Sequence, residues 1–116
     1  MSASQRNKGA GYERELATYL NDHIPGCDAR RGILQCRNGS EVPDVVMHGL
    51  PGFWLEAKRG KLPNPRAALK QAQEASEGQH CWPVAVVRDD RQPAFVVMSL
   101  SDWAELVGEW AEMRRF

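Results

Sequence analysis

The sequence has no excess of either charge: 15 Lys and Arg balance 15 Asp and Glu. This excludes a chain that coats a polyanion through bulk positive charge alone. Cysteines are few and odd in number, and Cys27, Cys36 and Cys81 lack the short paired spacing of a structural zinc site, so they read as reduced, partly buried thiols. His80 beside Cys81 is no better, because adjacent strand residues point to opposite faces, and His23 and His48 fall at a helix end and a turn. No apolar run nears the roughly 20 residues that span a bilayer, and the opening segment has no signal-peptide apolar region. A cytoplasmic protein with no membrane partner is expected. Low-complexity tracts are also missing. What is present is an ordinary globular composition, 42% hydrophobic and 26% charged over 116 residues. That length fills one small domain, expected over residues 1–116 with 1–6 flexible.

Periodicity orders the elements. A helix is predicted from about Lys8 to Asp22, with Tyr12, Leu16, Tyr19 and Leu20 on one face and Pro25-Gly26 ending it. Glu13 lies at the edge of that face and can look inward, whereas Arg14 points away from the core; alternatively both are ordinary solvated helix charges. The segment from Cys27 to about Arg37, with Ile33 and Leu34 among arginines and glycine, suggests an irregular first strand leading to a polar loop with an Asn38-Gly39 turn. Two further strands flank a Gly-Leu-Pro-Gly turn, and a helix follows from Pro65 or Arg66 to Glu77, with Ala68, Leu69, Ala72 and Ala75 as its apolar stripe. Strands at Val84–Val87 and Ala94–Met98 join through residues 88–92. A last helix, about Ser101 to Met113, aligns Trp103, Leu106, Val107, Trp110 and Met113 as core or subunit contact. The order is helix, three strands, helix, two strands, helix.

The hairpin from Val42 to Lys58 is the anomaly, because Asp44, Glu56 and Lys58 interrupt otherwise apolar strands. A carboxylate facing a core must be paired, hydrogen-bonded or metal-bound. Two negative charges about 4 Å apart at an effective dielectric near 20 repel by roughly 4 kcal/mol, which favours a cation or a raised pKa. Hard carboxylate oxygens suit Mg²⁺. Phosphodiester hydrolysis needs an activated water, relief of charge on the nonbridging oxygens and a stabilised leaving oxygen, all of which a divalent metal supplies. Lys58, on the face of Glu56, would sit beside the water or the phosphate, as a positive group or as a neutral base. Arg30, Arg31 and Arg37 before the hairpin and Lys58, Arg59, Lys61, Arg66 and Lys70 after it form either a basic face or a mixed solvated surface.

Pro43-Asp44, an apolar run and Glu56-Ala57-Lys58 together resemble the PD-(D/E)XK nuclease signature. The segment Lys8 to Leu16 resembles the opening of the archaeal Holliday-junction resolvases and their phage-encoded relatives. The resemblance implies an α/β fold: a restriction-endonuclease-like αβββαβ core with a mixed central sheet, an extra strand and a C-terminal helix. It implies Asp44 and Glu56 as principal metal ligands, the Ala57 carbonyl completing the shell, Glu13 a ligand directly or through water, and Lys58 orienting the water. Arg14, either Arg30 or Arg31, Arg59 and Lys61 would contact DNA. Gln71 either supports the site or is an exposed helix glutamine. The implied activity is a Mg²⁺-dependent endonuclease, with Mn²⁺ able to substitute, acting on branched DNA such as four-way junctions in recombination. It would work as a homodimer, because matched cuts across a two-fold junction need two sites, in a bacterial or phage-infected cell. A nuclease that cuts or nicks ordinary duplex, and a non-catalytic DNA-binding domain of the same fold, are the alternatives.

Overall fold

The computed structural model describes residues 3–32, 42–50 and 52–115, with side chains from residue 9 onward. Its elements are α1 (Ala3–His23), β1 (Asp28–Arg31), β2 (Val45–His48), β3 (Phe53–Gly60), α2 (Pro65–Ala75), β4 (Trp82–Asp89), β5 (Phe95–Val97) and α3 (Leu100–Arg114). The strands form one sheet in the order β1-β2-β3-β4-β5. Only β3 and β4 run parallel, joined by the α2 crossover, and the other neighbours are antiparallel. This is the expected α/β class with a mixed sheet and a restriction-endonuclease-like core.

Burial follows from the strand period of two. Val84 and Val86 of β4 face α1 and pack with Leu16, Ala17, Ala29, Val45 and Leu55. Ala85 and Val87 face α2 and pack with Ala68. A strand covered on both sides is apolar at every position, as Val84 to Val87 are. Each fully buried valine, such as Val45 or Val87, contributes about 1.5–3 kcal/mol of burial.

Local chemistry sets the boundaries. α1 starts at Ala3, earlier than the expected Lys8, because no proline interrupts the opening residues and Gln, Arg and Lys are good helix formers. It ends where Gly26 takes a φ of 76° after Pro25. The Asn64 side chain caps α2 by accepting from the Arg66 and Ala67 amides, and Pro65 occupies the first turn. That helix stops at Ala75, two residues before the expected Glu77, as Ser76 leaves helical geometry while its amide donates to Ala72 O. Gly49 and Gly52 supply the positive φ of the β2–β3 turn. The edge strand β1 is tied to α1 by Asn21, whose Nδ2 donates to Ala29 O (3.0 Å) while its Oδ1 accepts from Ala29 N (2.6 Å). The predicted strand residues Ile33 and Leu34, the Asn38-Gly39 turn, and Cys36, Arg37 and Pro51 lie outside the described residues.

α3 departs from a core assignment. None of its residues is buried, and Trp103 and Trp110 are 51% and 57% exposed. Of the two roles read from its apolar stripe, packing into this chain's core is thereby ruled out.

Candidate metal centre

Asp44 sits immediately before β2, at the point where β2 and β3 separate. Its amide donates to Leu55 O (3.0 Å) and its carbonyl accepts from Gly32 N (2.9 Å), which ties it to both neighbouring strands. Beyond that point the Asp44 side chain continues the ladder, with Oδ2 accepting from Ala57 N at 2.9 Å. The carboxylate is thus fixed against the backbone of the Glu56-Ala57-Lys58 segment. Gly32 is needed beside it, because a Cβ there would run into the Pro43 carbonyl.

Glu56 lies on the α2-facing side of β3 and is only 9% exposed. Trp54, two residues earlier on the same face and itself buried, donates from Nε1 to Glu56 Oε1 at 2.9 Å. This indole is the site residue that sequence reading missed; the i, i+2 spacing of Trp54 and Glu56 was its visible signal. Lys58 continues that face one step further and is exposed.

Glu13 enters from α1, partly buried, and accepts at Oε1 from Arg31 Nε at 3.0 Å. Its carboxyl is pushed above the usual range chiefly by burial; the Arg31 hydrogen bond works against this, and the negative charge of Asp44 adds to it. Glu13 and Asp44 therefore act on one another electrostatically. One oxygen of each of the three carboxylates is oriented by a protein donor: Arg31, Ala57 N or Trp54.

Among the described residues no three His, Cys, Asp or Glu are gathered as a ready metal cage. The donor set nevertheless fits a hard cation in chemistry: carboxylate oxygens of Asp44 and Glu56, the Ala57 carbonyl between them in sequence, and Glu13 held in a field that penalises its negative charge.

The basic residues divide. Arg30 and Arg31 alternate on β1. Exposed Arg30 pairs with Asp28 at 2.7 Å on the surface, whereas Arg31 turns to Glu13. Arg59 is partly buried between Glu15 (3.5 Å) and Asp90 (3.6 Å), and Arg88 also reaches Glu15 (3.2 Å), so Arg59 belongs to a charge cluster at the surface. Arg14, Lys61 and Gln71 are exposed. Gln71 lies on α2 next to buried Ala72 but faces solvent, the second of its two readings.

With this geometry in hand, the fold can be compared with known ones. The archaeal Holliday junction resolvase Hjc from Archaeoglobus fulgidus superimposes with a TM-score of 0.55 over 78% of this chain and 72% of its own, at 21% identity. The two share a fold. No protein-family model matches the chain, and no curated protein matches it in sequence.

Proposed function

We propose that the protein is a Mg²⁺-dependent endonuclease that hydrolyses DNA phosphodiester bonds, with branched DNA such as the four-way junction as its substrate, and that it acts as a two-fold dimer. The observation that carries this reading is the bond from Ala57 N to Asp44 Oδ2, which fixes one acid against the strand carrying Glu56 and Lys58 while Glu13 approaches from α1. The shared fold with a Holliday junction resolvase supports the substrate class.

Asp44, Glu56 and the Ala57 carbonyl would hold the ion, with Glu13 joining directly or through water. When bound there, Mg²⁺ or Mn²⁺ would make a water more acidic and offset charge on the phosphate. Trp54 keeps the Glu56 carboxylate oriented in the buried layer. Lys58, exposed at the end of the same face, orients the attacking water and meets the phosphate. Arg14 and Lys61 offer exposed positive charge to the DNA backbone, a contribution that falls with salt. Arg31 positions Glu13, and Arg30 is the more accessible of the two for a phosphate. Water adds at phosphorus, the bond to the leaving sugar oxygen breaks, and that oxygen takes up a proton.

A second reading has its own observation. Trp54 and Arg31 already satisfy one oxygen each of Glu56 and Glu13, which suits a DNA-binding domain that keeps the fold without the chemistry. Purified protein incubated with Mg²⁺ and labelled four-way junction, duplex and single strand separates these. Junction cleavage lost in Asp44→Asn and Glu56→Ala is expected. Cleavage surviving both substitutions removes the site, salt-dependent binding without product favours the second reading, and equal cutting of duplex removes the junction preference.

A further inference from the structure

Two non-glycine residues among those described have positive φ, Leu62 at 50° and Arg91 at 66°. Both lie in the turns that follow β3 and β4, at the carboxyl end of the parallel pair, where the register sets Gly60 beside Asp89. The two turns are tied to each other. Leu62 N donates to Asp89 Oδ1 (3.0 Å), Asp90 N to Gly60 O (2.9 Å), and Gln92 N back to Asp89 O (3.0 Å). Glycine or asparagine would take the left-handed geometry of position 62 at a lower steric cost, and Pro63 narrows the backbone of the residue before it further. Leucine stands there instead, 79% exposed. Backbone strain of this kind persists only where the surroundings fix it, and it gathers where ligands are held. Lys61 and Arg91 beside it are exposed too.

We propose that Leu62 is the residue that distinguishes branched from continuous DNA, by packing its side chain against an unstacked base at the branch point while Lys61 and Arg91 hold the flanking phosphates. This role rests on the branched-DNA reading above and adds to it the element that selects the substrate. Position supports it first. β3 runs from Glu56 through Lys58 and Gly60 into the turn, and because β2 is antiparallel to β3, Asp44 at its start also lies toward the carboxyl end of β3, bonded to Ala57 N. At about 3.3 Å per residue, the chain from Lys58 to Leu62 spans at most roughly 13 Å. Against about 3.4 Å per base step, the leucine falls within about four steps of the phosphate that Lys58 would meet. Ligands of open sheets gather outside the carboxyl ends of parallel strands. Chemistry decides the rest. Along continuous duplex a projecting leucine meets phosphates and the edges of stacked bases, so its apolar surface stays in water. At a branch point the stack is already interrupted, and a base face opens at a smaller unstacking cost; leucine is among the side chains that wedge between base steps. Complete burial of a leucine is worth roughly tenfold or more in binding, and only the branched substrate supplies it. The two cations act on either DNA and set affinity without setting preference.

The test reads binding and base unstacking in the presence of a chelator, so that cleavage does not enter. The full chain is titrated onto a four-way junction carrying 2-aminopurine at the branch point, and onto a duplex carrying it at an internal step. Wild-type protein is expected to bind the junction about tenfold or more tightly than the duplex and to raise the junction fluorescence severalfold. Leu62→Asn and Leu62→Gly, which both accept the left-handed turn, are expected to keep the helical circular dichroism and the duplex affinity, to lose most of the fluorescence rise and to lower the junction preference about tenfold. Leu62→Met should retain the rise and the preference. Arg91→Gly, which also suits its turn, should weaken junction and duplex alike and reduce the salt slope by about one. An undiminished fluorescence rise in Leu62→Asn and Leu62→Gly, an equal loss of duplex and junction affinity in them, or a wild type without junction preference would overturn the proposal. Junction cleavage under Mg²⁺ together with an undiminished rise in both variants removes the wedge and leaves the nuclease reading intact. The expected binding and fluorescence without any DNA cleavage under Mg²⁺ leave the wedge standing and remove the nuclease reading.

Discussion

Glu13 and Glu15 stand two residues apart on α1 and belong to two charge clusters of opposite character. Glu15 and Asp90 meet Arg59 and Arg88 at 3.2 to 3.6 Å, two acids against two bases. Glu13 lies in the field of Asp44, whose Oδ2 accepts from Ala57 N, and Arg31 is the base bonded to Glu13. The first cluster neutralises itself and needs nothing further. In the second, burial and the negative charge of Asp44 push the Glu13 carboxyl upward, and the Arg31 bond works against them. The contrast teaches that ion pairing alone does not mark a functional site. A carboxylate held in place by the backbone, as Asp44 is by Ala57 N, beside another whose carboxyl it pushes upward is the informative sign.

The largest difference between the clusters should be in catalysis. Asp44→Asn or Glu56→Gln is expected to lower single-turnover cleavage of junction DNA by at least ~10²-fold, the scale of a lost transition-state stabiliser. Glu15→Gln should leave it within a few-fold. Equal losses at all three positions would erase the distinction.

Trp54→Phe comes next. It keeps the packing but removes one donor to the buried Glu56 carboxylate, at a cost of about 1–3 kcal/mol, measurable by urea unfolding. Cleavage should fall roughly tenfold or more under conditions where the variant is fully folded, as for outer partners of metal ligands. Full activity in the folded variant would show that the indole only stabilises the core.

Much of this arrangement could be read before any fold was known. The apolar run Val84 to Val87 announced a strand, though not that both its faces are covered, and Asp44 with Glu56 announced charge in a buried hairpin. The separation of Arg30 from Arg31 could not be read, because it depends on which β1 residue faces α1, and that is set by the register pairing Arg31 with Val45. The Asp44 bond to Ala57 N was also hidden, since it arises where two strands part. On α3 the apolar stripe was legible, but periodicity reports that a face needs cover and says nothing of what covers it.

Smaller effects are expected in the balanced cluster. Arg88→Ala should cost less than about 1 kcal/mol, and less again at high salt, because its partner Glu15 is well exposed. A larger loss would mean that the cluster anchors α1 to the sheet more firmly than its exposure implies.

The smallest effect concerns pH. The folded Glu13 carboxyl titrates above its ordinary 4.5, so the native state holds that proton more tightly than the unfolded chain. Its contribution to stability is therefore greatest in acid and declines as pH rises from about 4.5 through the raised value. Glu13→Gln should flatten that decline in urea titrations at several pH values, and an unchanged slope would assign it to other groups.

The central claim, as proposed, is that Asp44 and Glu56 with Glu13 hold a divalent cation and the Glu15 cluster does not. The most direct measurement is Mn²⁺ binding followed by electron paramagnetic resonance in the wild type, Asp44→Asn and Glu15→Gln proteins. Saturable binding that disappears in Asp44→Asn and persists in Glu15→Gln is predicted. Binding that is unchanged by Asp44→Asn would contradict it.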